Sequence, residues 1–211
     1  MKKNIVLVAV MTLWMSAAGP LRAAQEQPAS PSCLLRVDYH YGEINPWLFY
    51  ERPIAKDIGL SVVMQMSTQG FAQMDFGAAF HFGNLALFPE FGFEFIETGS
   101  KGARLGHVAP EFFATYNDPQ WTFESQNLYF LKVTDETYPT YFYYRDYLGH
   151  RLYRDSFIGP QVEGNIYPDA APDHYFGGHI DVSVGVGLLG LFYGQNRDDI
   201  GLFRMTFIRG L

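Results

Sequence analysis

One cysteine, Cys33, in 211 residues rules out an intramolecular disulfide and with it the stapled scaffolds of small secreted domains. Charge is scarce as well. Asp, Glu, Lys and Arg make up 18% of the chain, where an ordinary soluble domain carries about 25%. Lysine nearly vanishes beyond the N-terminal segment, leaving Lys56, Lys101 and Lys132. Past that segment no apolar run reaches the roughly 18 residues of a membrane-spanning helix, and no capped 3.6-residue stripe marks an amphipathic one. These absences exclude a disulfide scaffold, a helical membrane bundle and a coiled coil. What is abundant is aromatic: 19 Phe, 14 Tyr and 3 Trp, or 17% of the chain, a composition incompatible with disorder. Mean hydropathy is nevertheless only −0.06.

The N-terminus reads as an export signal. Met1-Lys2-Lys3 precedes an apolar run from Ile5 to Ala18, too short to cross a bilayer of about 30 Å as a helix and typical of a secretory h-region. Ala23 and Ala24 offer cleavage sites, so 1–24 is taken as signal peptide, 25–33 as a flexible leader and 34–211 as one domain. Removing 1–24 takes away Lys2, Lys3 and Arg22 and no acid, shifting the net charge from −7 to −10. Such acidity argues against a nucleic-acid partner.

The remainder alternates with period two, the primary signal of a strand with two different faces. Met74, Phe76, Ala78, Phe80 and Phe82 oppose Gln73, Asp75, Gly77, Ala79 and His81. Leu60, Val62, Met64 and Met66 oppose Ser61, Val63, Gln65 and Ser67. The pattern recurs over 85–96, 156–167, 178–192 and 200–209, with further candidates at 34–41, 107–116, 120–132 and 138–148 and a short one at 47–52. Compact turns at 67–70, 83–84, 117–119 and 195–199 and longer loops at 98–106, 134–138 and 168–178 separate them. The expected fold is all-β: an antiparallel meander of about ten strands, with eight or twelve as alternatives.

The solvent follows from the faces. Strands of about 9–11 residues match a tilted bilayer crossing. Their apolar faces lack the Lys and Glu that a soluble barrel presents to water. Trp47, Tyr50, Tyr116, Trp121, Tyr129, Tyr138, Tyr153, Tyr167 and Tyr193 stand near strand ends, where outer-membrane barrels carry aromatic girdles. A sheet in lipid must close, since unpaired backbone edges are intolerable there. With its signal segment, meander and final alternating strand (Phe203, Met205, Phe207, then Leu211), the chain resembles the small outer-membrane β-barrels of Gram-negative bacteria, of porin-like or nucleoside-channel-like kind. Arg209 and the terminal Leu211 depart from the usual closing aromatic. The resemblance implies an outer-membrane location, outer-membrane lipid as surroundings, and the barrel assembly machinery as a partner.

With the apolar face toward lipid, the polar face lines a lumen: Asp75, His81, Glu90, Glu94, Glu111, Glu124, Glu163, Asp181 and Arg204, together with Gln65, Gln73, Gln126, Gln161, Asn165, His179 and Ser183. Unpaired acids suit a pore that passes cations. The expected function is a passive channel or binding barrel for small polar or cationic solutes. Alternatives are a plugged structural or adhesive barrel acting through its loops and a lipid-modifying hydrolase, with His179 and Ser183 as catalytic candidates. Enzymatic activity is the lesser expectation. No metal site or cofactor is expected. Gly185, Gly187 and Gly190 spell G-x-G-x-x-G without the helix and acid of a dinucleotide site, and are read as lumen-facing glycines. Asp75 and His81 are read as a polar pair on one strand face.

Overall fold

A computed structural model describes residues 31–40, 42–96, 102–133 and 139–211. The signal peptide, residues 25–30 of the leader, the 134–138 loop with Tyr138, and 98–101 of the 98–106 loop lie outside the described residues. The chain forms twelve strands: β1 (Ser32–His40), β2 (Glu43–Ala55), β3 (Ile58–Met66), β4 (Ala72–Phe82), β5 (Leu85–Ile96), β6 (Arg104–Asn117), β7 (Trp121–Lys132), β8 (Tyr141–Tyr153), β9 (Ser156–Ile166), β10 (Asp173–Ser183), β11 (Leu188–Gln195) and β12 (Gly201–Gly210). Each pairs antiparallel with the next, and β1 pairs with β12 from Leu34↔Gly210 to His40↔Arg204, closing the barrel. No edge is left unpaired. β1 takes in Ser32 and Cys33, assigned above to the leader, opposite Glu51 and Tyr50 of β2.

The count is twelve rather than ten for a local reason. Residues 178–192, read as one strand, contain a hairpin: β10 ends at Ser183 and β11 starts at Leu188. Val184 and Val186 continue the alternation through the turn and disguise it. Gly185 makes the turn, with φ +81°, a conformation that a side chain disfavours. It is therefore a turn residue and not a lumen glycine. Gly190, on β11, does face inward. Most of the loop expected at 168–178 belongs to β10, and the short strand expected at 47–52 is the centre of a thirteen-residue β2.

The faces separate as the alternation requires. Met74, Phe76, Phe91, Phe93, Phe203 and Met205 are exposed on the outside, while Gln73, Asp75, Glu90, Glu94, Arg204 and Thr206 are buried inside. An exterior this apolar is stable in lipid and not in water. Trp47 departs from the expected girdle: it points into the lumen and is 6% exposed. Tyr50, Trp121, Tyr129, Tyr153 and Tyr193 are exposed on the barrel surface.

The two ends of the barrel differ. At the end carrying the chain termini the connections are two, two, three, two and four residues long. At the other end they are two, five, seven, eight, six and five. The longer loops expected at 98–106, 134–138 and 168–178 all fall at that second end.

Candidate functional site

Six charged side chains meet in the lumen between its two cavities. On β1, Arg36 and Asp38 are two residues apart and so point the same way. Arg36 Nε donates to Asp38 Oδ1 at 3.0 Å, and its Nη1 donates to Glu124 Oε1 at 2.8 Å. Glu124 is on β7, six places from β1 in either direction around the ring, so this bond crosses the lumen. Arg145 of β8 donates to the same Glu124 oxygen and lies 3.5 Å from Asp38 Oδ2. Arg204 of β12 grips Glu163 of β9 with two bonds, Nη2 to Oε1 at 2.9 Å and Nε to Oε2 at 3.2 Å. It also reaches Asp38 Oδ2 at 3.6 Å. Thr206 Oγ1 completes the shell of Asp38 at 2.6 Å. Three arginines thus meet three carboxylates, and the fork of each guanidinium holds the geometry.

This septum divides the lumen. On the side of the longer loops lies a cavity of about 590 Å³, floored by Asp38 and Arg204 and walled by Trp47, Gln65, Tyr141 and Tyr143 among others. On the side of the termini lies one of about 180 Å³, bounded by Arg36, Glu124, Arg145, His179 and Asp181. No inserted segment stands between them among the described residues; the division is made of side chains.

The β4–β6 wall is different. Glu90 of β5 faces Glu111 of β6 in register, and Asp75 of β4 faces Gly92 of β5. Ser61 Oγ donates to Glu90 Oε1. Gln73 Nε2 donates to Asp75 Oδ1 at 2.8 Å and to Glu111 Oε1. Neutral donors hold one oxygen of each carboxylate, and among the described residues no arginine joins them.

Of the residues expected in the lumen, Asp75, Glu90, Glu94, Glu111, Glu163, Asp181 and Arg204 are buried inside the barrel, and Glu124 and His81 are half-buried there. The expected pairing of Asp75 with His81 does not form: His81 Nε2 contacts Glu51 Oε1 at 2.7 Å, while Asp75 turns to Gln73. Glu94 is bonded to His107. His179 and Ser183 are not brought together as a catalytic pair. The ring nitrogens of His179 face Gln161 and Asp181, and Ser183 is exposed beside the hairpin turn. Four residues along a strand separate the two by about 13 Å.

Sequence reasoning missed Arg36, Asp38 and Trp47 and left Arg145 unplaced. Parity along 34–41 carried the signal for Arg36 and Asp38. Around Arg145, aromatics on both faces (Tyr141, Phe142, Tyr143, Tyr144) erase it. The consequence is a correction to the expected lumen. Its acids are not uniformly unpaired: Glu124 and Glu163 are bound by arginines in the septum, Glu94 and Asp181 face histidines, and Asp75, Glu90 and Glu111 of the β4–β6 wall have no ion-pair partner among the described residues.

No protein-family model matches the chain, and no curated protein matches it in sequence. Among solved structures, the chain is similar to the KdgM porin at 14% identity, over 85% of this chain and 97% of that one, with a TM-score of 0.52. A structure of the KdgM porin in complex with disordered oligogalacturonate matches at 12% identity, over 85% and 97%, with a TM-score of 0.53. The NanC porin matches at 11% identity, over 85% and 98%, with a TM-score of 0.53. At such identities the likeness is one of fold: the chain has the fold of small outer-membrane porin barrels.

Proposed function

We propose that the chain is an outer-membrane β-barrel through which small polar solutes pass passively, with the ion-pair septum as its narrowest point. The observation that carries this reading is the pair of cavities at opposite ends of one lumen, separated among the described residues by side chains alone. Outer-membrane barrels keep short turns on the periplasmic side and longer loops outside. The larger vestibule, ringed by the longer connections, is accordingly the outer one. A solute entering there meets glutamine, asparagine and tyrosine groups before a septum whose own charges balance. Glu43 and Glu94 line that vestibule, and acidic lining favours neutral and cationic solutes over anions.

Planar-bilayer recording tests it. Wild-type protein is expected to give small, cation-preferring steps. The Arg36→Ala/Glu124→Ala double variant, which removes the bond across the lumen while keeping charge balanced, is expected to raise the step size several-fold. Absence of current from both folded proteins would overturn the passage.

A further inference from the structure

We propose that Asp75, Glu90 and Glu111 form a binding site for a divalent cation, of the kind Ca²⁺ exemplifies, within the β4–β6 wall of the barrel. One carboxylate oxygen from each of the three lies within 4.8 Å of the other two. Oxygens bound to Ca²⁺ sit about 2.3–2.6 Å from it, and so stand up to about 5 Å apart. The spacing fits a shared ion with little adjustment.

Two further observations point to a ligand. First, Asp75 Oδ2, Glu90 Oε2 and Glu111 Oε2 are buried with no hydrogen-bond partner, in residues exposed by 0%, 7% and 5%. The partner oxygen of each is already held by Gln73 or Ser61, so the carboxylates are oriented with one free oxygen apiece. Among the described residues no ion pair reaches any of the three. Buried charge without a counter-charge is expensive, and an unsatisfied buried oxygen calls for a partner.

Second, the backbone makes room for the carboxylates. A Cβ at Gly92 would stand 2.2 Å from Asp75 Oδ1 and 2.7 Å from Glu111 Oε1, and one at Gly77 would stand 2.7 Å from Glu90 Cγ. At Gly77 the Pro89 backbone oxygen lies nearer still, at 2.2 Å; at Gly92 the space the missing side chain leaves is the space Asp75 and Glu111 fill. An all-oxygen donor set of three carboxylates selects hard cations over Zn²⁺ or Cu²⁺. Ca²⁺, with its tolerance of irregular geometry, suits ligands fixed on three separate strands better than Mg²⁺ does. The ion would tie β4, β5 and β6 together from inside. The inference does not depend on passage of solute: a closed barrel holds the ion equally well.

The test uses full-length folded protein in detergent free of lipopolysaccharide, stripped with EDTA and titrated with Ca²⁺ by calorimetry. The expected result is one Ca²⁺ per chain and a raised unfolding temperature. Glu111→Gln is expected to weaken binding by at least about tenfold, whereas Asp155→Asn, at a distant turn, leaves it unchanged. Ser61→Ala supplies a milder variant should Glu111→Gln fail to fold, with a smaller loss of affinity expected. No binding of Ca²⁺, Mg²⁺ or Mn²⁺ by the wild-type protein would overturn the proposal. So would unaltered Ca²⁺ binding in Glu111→Gln, which places the ion elsewhere. A Glu111→Gln barrel more stable than wild type at every Ca²⁺ concentration would also overturn it, marking a cluster that shares protons instead.

Discussion

Single residues in the septum carry more than their own contacts. Arg204 neutralises Glu163 through two hydrogen bonds and faces Asp38 as well. Replacing it with alanine leaves two buried carboxylates short of a counter-charge, and breaking a buried pair from one side costs about 3–5 kcal/mol. Arg204→Ala is therefore expected to unfold at markedly lower urea than wild type in lipid vesicles, with Glu163→Gln in the same background recovering part of the loss. A lysine at 204 keeps the charge but not the fork, so Arg204→Lys is expected to fall between the two. Equal midpoints for wild type and all three variants would show that the septum contributes nothing to stability.

Elements are held at their ends by turn chemistry. Between β6 and β7, Asp118 accepts bonds from the Tyr116 hydroxyl and from the Gln120 and Trp121 amides, all at 2.7 Å. The Tyr116 bond first, and the two amides after it, hold the Asp118 carboxyl below the usual carboxylate range. A depressed native value means stabilisation that is present above the ordinary Asp range near about 3.9 and fades as pH drops through the lowered value. Asp118→Ala is expected to speed hydrogen exchange at the Gln120 and Trp121 amides at neutral pH. That difference should shrink in strong acid, where wild type has lost the carboxylate. The same scale shows what the sequence could reveal. Alternation marks β4, β5 and β12 because their two faces meet unlike media. It hides the β10–β11 hairpin because valines at 184 and 186 keep the period while Gly185 turns the chain. The phase of β8 is blurred because aromatics serve both lipid and lumen. The β4–β6 acids were legible from parity alone. The septum was legible only in part: parity placed Glu124, Glu163 and Arg204 on the lumen face, but the septum joins strands from opposite sides of the ring, and no local pattern encodes that meeting.

For the whole molecule, orientation is the testable property. In a Cys33→Ser background, Gln69→Cys lies in the connection between β3 and β4 at the longer-loop end, and Asp155→Cys lies in the β8–β9 turn at the opposite end. A membrane-impermeant maleimide added to intact cells is expected to label position 69 and to reach position 155 only after the outer membrane is opened. The reverse pattern would invert the barrel and place the larger vestibule toward the periplasm. Both ends share the closed hydrogen-bonded wall, so the asymmetry between them resides in the connections and in the cavities they frame.

The septum draws on both extremities of the chain. Asp38 stands on the first strand, Thr206 on the last, and 168 positions of sequence separate them. Contacts so remote form late, since loop-closure entropy must be met before they reward the chain. Sealing the sheet and assembling the septum are consequently one event. Until β12 reaches β1, Asp38 lacks both Thr206 and Arg204, and the septum is incomplete. The pairing that completes the cylinder also completes the constriction inside it.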